Sequence, residues 1–143
     1  MYAGFGREGG NASPAPSRTD VPDGTRSFAL TVFDPDAPTD SGWWHRVVVD
    51  LPADLRSLAE GAGTDDGDPL PPGTLQLRND FGTVAFGAAC PPPGDPAHRY
   101  VYTLYALPTE RLGVDADASA ALASYLLRAN AIGRATLTPR YAR

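Results

Sequence analysis

The chain contains no lysine, a single cysteine, a single methionine and only two histidines in 143 residues. With Cys90 alone, neither an internal disulfide nor a cysteine-rich metal cluster can form. Its twelve basic residues are all arginine and are outnumbered by seventeen acidic ones, leaving a net charge of −5. That excess excludes general nucleic-acid binding, which relies on basic side chains neutralising backbone phosphates. No apolar run approaches the length of a membrane-spanning helix. The start, residues 1–8, lacks the basic region and apolar stretch of a signal peptide. A cytoplasmic protein with no transmembrane segment is the expectation.

What the chain has in quantity is glycine and proline, fifteen of each. Such punctuation suits short strands and turns better than a helical bundle. Hydrophobic residues at 42% and charged residues at 20% fit a globular chain. With no internal repeat and no linker, residues 1–143 read as one domain, opening on a loop-rich segment over 1–25.

The first clear strand is 26–34 (RSFALTVFD), apolar on both faces and therefore expected between two packed layers. A second, 46–51, carries three consecutive valines. Residues 53–72 read as a long polar excursion with a short helix possible at 54–60. Strands are expected at 74–78, 83–86, 98–107 and 134–141. One helix is expected at 118–131, capped by Asp115 or Asp117 and stopped at Gly133. Its apolar stripe would be Leu122, Tyr125, Leu126 and Ala129.

Both histidines stand at the head of apolar strands: His45 before three valines, His98 before Arg99 and Tyr100. Asp34 ends the first strand at a proline-locked turn. Strand ends opening onto rigid loops are good places for a site, because the sheet fixes the side chains. A carboxylate that accepts from one imidazole nitrogen fixes the ring's tautomer and presents the other nitrogen to a ligand. Two imidazoles facing a cavity can donate to phosphate oxygens, more strongly when protonated. Each residue also has a purely structural reading: the histidines as satisfied strand-end residues, Asp34 and Asp36 as turn formers.

Three segments together resemble the phosphatidylethanolamine-binding protein family, in its bacterial, Raf-kinase-inhibitor-like branch. They are Asp34-Pro35-Asp36-Ala37-Pro38; Gly42-Trp43-Trp44-His45 with its valine-rich strand; and Gly87 to Cys90-Pro91-Pro92, followed by His98-Arg99-Tyr100 and Thr103-Leu104-Tyr105-Ala106-Leu107. The similarity runs from about Gly9 to the C-terminus. The resemblance implies a mainly β, two-sheet sandwich: a large central antiparallel sheet against a smaller one, with a C-terminal helix and shortened N-terminal strands. It also implies a pocket for phosphate, acetate or phosphoryl head groups. The ligand-binding residues it maps are Asp34, His45 and His98, with walls from Pro38, Trp43, Gly87, Pro91 and Tyr100. The Ala37–Pro38 bond is expected to be cis.

Several positions depart from the family's pattern: Arg46 replaces a tryptophan, Ala88-Ala89 replace Gly-Pro, and Pro16 and Arg18 replace Leu and Trp. Relatives carry further residues before the position of Met1, so a sheet edge or part of the core is expected to be uncovered, and an uncovered edge would invite pairing into a homodimer. The leading reading is a non-enzymatic binding module for a small anionic or phosphoryl-bearing ligand, with no catalytic residue, cofactor or metal. The alternatives are a hydrolase using His45 or His98 as general acid or base, and a metal site of two histidines and one carboxylate. Cys90, in a proline-locked loop, is a poor candidate nucleophile.

Overall fold

A computed structural model describes residues 21–143 apart from Arg56, Glu60, Asp66 and Ala88. Residues 1–20, with the departures at Pro16 and Arg18, lie outside the described residues, as does Ala88. The fold is mainly β. Strand β1 (Ser27–Asp34) runs between β2 (Trp43–Pro52) and β5 (Val101–Leu107). Short β3 (Leu75–Gln76) extends the sheet beyond β2, and β6 (Gly133–Leu137) extends it beyond β5, all antiparallel. A second, two-stranded sheet joins β4 (His98–Arg99) to β7 (Arg140–Tyr141).

The central position of β1 follows from its two apolar faces, and each face fills a separate core. Ala29 packs with Val47, Val49, Tyr105 and Leu107 beneath the helix α1 (Ala120–Asn130), meeting its Ala120, Ala123 and Leu127. Phe28 and Leu30 pack with Val48, Leu51 and Ala106 on the other side, under Leu58 and Ala62. The three valines therefore serve both layers by simple alternation. Burying each such side chain contributes about 1.5–3 kcal/mol. The excursion at 53–72 is the lid of the second layer, held by few apolar residues among many polar ones.

Several boundaries differ from expectation, each for a local reason. The α1 cap is Ser119, whose hydroxyl accepts from the Leu122 N–H at 3.1 Å, rather than Asp115 or Asp117. Its buried face is Ala120, Ala123 and Leu127, while Leu122 is 48% and Tyr125 70% exposed. Small alanines let the helix lie close over β2 and β5, so packing overrides the stripe of larger residues. Gly133 opens β6 instead of ending the helix, and a Cβ there would meet Pro22 at 2.6 Å.

The expected strand at 83–86 does not form. The Asn79 side chain accepts from Thr83 N–H and donates to the Ala85 carbonyl, giving that backbone a turn instead of a ladder. The described residues of 54–60 form no helix. The last strand divides at Pro139, whose carbonyl takes the Tyr100 N–H at 2.9 Å and so also divides the 98–107 strand into β4 and β5. No cis peptide bond occurs among the described residues, so the Ala37–Pro38 bond is trans. Chain reversal is supplied instead by the Thr39 N–H on the Ala37 carbonyl and by Gly42 at φ +70°. A Cβ at Gly42 would lie 2.4 Å from the Phe33 ring.

Candidate functional site

Phe28, Leu30, Val32 and Asp34 lie along one face of β1, and the row of apolar side chains ends at the Asp34 carboxylate. Across the strand pair, Val32 faces Arg46 and Phe33 faces Trp44, so His45 is the extra residue of a β-bulge. Bulges re-aim a side chain and occur beside functional sites. Here the bulge shifts the alternation of β2, which places Trp44 with the Val47 and Val49 core. His45 and Trp43 are left to line a cavity at the end of the Asp34 row.

That cavity measures about 290 Å³ and is lined by Asp34, His45 and His98 together. Pro38 and Trp43 contribute walls as expected; so do Ala37, Thr39, Phe81, Cys90 and Pro92, which the sequence did not single out as pocket walls. Gly87, Pro91 and Tyr100 stand behind the lining instead. Pro91 is fully buried, and Tyr100 packs edge-on against the His45 ring at 5.3 Å between centroids. Phe81 also packs edge-on against His45, at 5.4 Å, and against Trp43, at 5.2 Å. Phe81 reaches this place because Gly87 has no side chain: a Cβ there would fall 2.4 Å from its ring.

Gly87 also holds His45 from the backbone. Its carbonyl accepts from Nδ1 at 2.7 Å, and its N–H donates to the His45 carbonyl at 3.0 Å. The first bond places a proton on Nδ1 of the neutral ring. His98 is held by Asp34, whose Oδ2 accepts from Nδ1 at 2.8 Å, with both side chains 5% exposed or less. Burial alone would lower the His98 pKa, but the hydrogen bond and charge of Asp34, with those of Asp95, outweigh it and the net direction is upward. Asp34 Oδ1 accepts the Asp36 N–H at 2.8 Å, which fixes the carboxylate in an Asx turn.

Two residues on, Asp36 makes a bidentate pair with Arg99 at 2.7 and 2.9 Å and also takes the Arg99 N–H at 2.8 Å. The Arg99 hydrogen bonds hold the Asp36 carboxyl far below the usual range. The Asp-Pro-Asp segment thus fastens the end of β1 to β4 with two adjacent carboxylates, one for each residue of β4. Unspent polar capacity lies in the pocket wall and behind it. The Trp43 indole N–H and the Tyr100 hydroxyl are buried with no well-formed hydrogen bond. Burial pushes the Tyr100 pKa up, with Asp34 adding to it; the backbone of Cys90 opposes this without making a well-aligned bond.

Among the described residues, no group of three or more His, Cys, Asp or Glu side chains is disposed to hold a metal ion. Among them too, no helix is long and apolar enough to cross a membrane. The arrangement offers two imidazoles, one beside a buried carboxylate, within a largely apolar enclosure.

Comparison with known proteins agrees with the fold. Residues 1–142 match the family model for phosphatidylethanolamine-binding protein. The chain is 53% identical to the UPF0098 protein YbcL of Escherichia coli K12 over 141 residues, covering 99% of this chain and 77% of that one. It is 45% identical to E. coli YbhB, covering 99% of this chain and 88% of the relative. The crystal structure of E. coli YbcL, described as a member of the mammalian PEBP family, superposes with a TM-score of 0.91 at 52% identity, covering 100% of this chain and 87% of that one.

Proposed function

The chain belongs to the phosphatidylethanolamine-binding protein family, and from that premise we propose that it is a non-enzymatic binding module for a small anionic or phosphoryl-bearing group. The observation that carries the reading is the buried Asp34–His98 pair at 2.8 Å opening on the shared cavity. Asp34 favours the imidazolium, and an imidazolium inside apolar walls is a strong donor to an oxyanion. Trp43 and Tyr100 add buried polar hydrogens near the same enclosure. His45, its Nδ1 committed to Gly87, faces the same cavity and is the second imidazole of the reading. The family's members are generally binding proteins, which supports binding over catalysis. Titration with inorganic phosphate, followed by calorimetry, tests the reading: saturable binding that His98→Ala removes is the expected result.

The homodimer belongs to the same proposal. Among the described residues strand β6 is an edge of the large sheet, and its Leu137 is 54% exposed; Leu122 and Tyr125 on the helix are exposed too. A sheet edge of this kind, with apolar groups beside it, invites pairing with a second copy. Sedimentation at micromolar protein is expected to give the dimer mass; a monomer mass throughout removes this part.

A further inference from the structure

Asp34 serves only one side of His98. On the other side, Nε2 lies 3.4 Å from Oδ2 of Asp95, a longer and weaker contact than the 2.8 Å bond to Asp34. Asp95 stands on the proline-rich loop between Cys90 and β4, its N–H resting on the Pro92 carbonyl at 3.4 Å. Its side chain is 37% exposed against 5% for the imidazole. The carboxylate is therefore a loosely held charge at the edge of a ring otherwise removed from water. It lines an outer groove of about 570 Å³ together with Asp36, Arg99 and Arg140, and His98 is the residue that this groove shares with the inner cavity.

We propose that Asp95 is a specificity-determining residue of this pocket, its carboxylate competing for the side of His98 that a ligand oxygen would use, so that monoanionic groups are admitted and dianionic groups penalised. The proposal rests on the anion-binding reading above. An oxyanion reaching Nε2 must share or displace Asp95, and at a given separation its repulsion from that carboxylate doubles when its own charge doubles. Two of the other charges around the ring are already engaged. Asp34 is bound to Nδ1, and the Asp36 charge is neutralised by Arg99 in a bidentate pair. Arg140 lines the same outer groove as Asp95, and its charge is common to every Asp95 variant, while His45 and Cys90 line the inner cavity and Tyr100 lies behind it. Among the described residues Asp95 has no ion-pair partner besides His98. Phosphodiesters and carboxylates are then the preferred class, and phosphomonoesters, nearly dianionic at neutral pH, are disfavoured.

The test compares methyl phosphate with dimethyl phosphate, titrated into the intact chain and into Asp95→Asn at about pH 7, where only the monoester is close to dianionic. The isosteric change is expected to tighten methyl phosphate by about ten-fold and dimethyl phosphate by about three-fold, narrowing the preference for the monoanion. Asp95→Glu keeps the charge and is expected to keep the original preference. Equal factors for the two ligands, no change in either, or a Glu variant that behaves like Asn would overturn the proposal while leaving the anion pocket standing. Absence of saturable binding to both ligands in both the unaltered chain and Asp95→Asn would remove the pocket reading along with it.

Discussion

Asp34 and His98, sixty-four residues apart in sequence, meet at 2.8 Å with neither side chain open to solvent. A single oxygen–nitrogen contact thus joins the end of the central strand of one sheet to the first residue of the other. It gives His98 a tautomer, an orientation and an upward pKa shift, and every property proposed for the pocket passes through it.

The pair has a signature in stability against pH. A histidine whose folded pKa exceeds its unfolded value stabilises the fold fully below the unfolded pKa, and that contribution is lost as pH rises through the folded pKa. The window therefore begins near pH ~6.5, the ordinary histidine value, and extends upward to the raised one. Asp34→Asn is expected to lower the His98 pKa, flatten this part of the profile and cost about 3 kcal/mol at acidic to neutral pH. Urea unfolding at a series of pH values, with the His98 pKa read by NMR, checks it; an unshifted pKa in the variant contradicts it.

Asp36 gives the opposite limb. Its carboxyl is held low by Arg99, so its contribution is present above the unfolded pKa of 3.8 and lost as pH falls toward the lower folded value. Arg99→Gln is expected to return the Asp36 titration toward the ordinary carboxylate range. Carbon-detected titration of the Asp36 carboxyl reads this directly, and an unchanged midpoint would refute the assigned cause.

Gly87 makes a steric prediction. Alanine there places a Cβ where the Phe81 ring now lies, and overpacking of this kind costs about 1–3 kcal/mol. Displaced Phe81 no longer supports His45 and Trp43, so ligand affinity is expected to fall even at temperatures where the fold persists. Wild-type affinity in Gly87→Ala would show that Phe81 does not shape the pocket.

Arg46 is almost wholly buried, donating from Nε to Gln76 Oε1 at 3.0 Å and from Nη2 to the Ala62 carbonyl at 2.5 Å, over the Phe86 ring. Burial pulls its pKa down to about 10. It binds the 53–72 lid to β2 with a cation that has no carboxylate partner among the described residues. Arg46→Met fills similar space but leaves both acceptors bare, at a cost of about 2 kcal/mol. Denaturant midpoints decide it; a more stable methionine variant would mean that relief of the buried charge outweighs the lost bonds.

What the sequence made legible was what depends on local pattern. The two-faced 26–34 strand, the valine strand and the helix all followed from periodicity, and the Asp-Pro-Asp, Trp-Trp-His and His-Arg-Tyr segments pointed to residues that do converge. Features set by tertiary contact were illegible. Nothing in a run of Ala and Leu says that the smaller residues of α1 will face the sheet. Asn79 looks like a turn residue until its side chain is seen replacing the ladder at 83–86. Phe81 and Asp95 carried no signal at all: one enters the pocket through space that Gly87 vacates, the other through a loop closure onto His98.

The central claim, an anion held between two imidazoles, is tested most directly by following the ring signals of His45 and His98 in long-range ¹H–¹⁵N spectra during titration with inorganic phosphate. Both sets of signals are expected to shift saturably with one common dissociation constant, and that affinity is expected to weaken as pH rises through the His98 pKa. Rings that stay unmoved, or an affinity flat across the histidine range, would contradict the account.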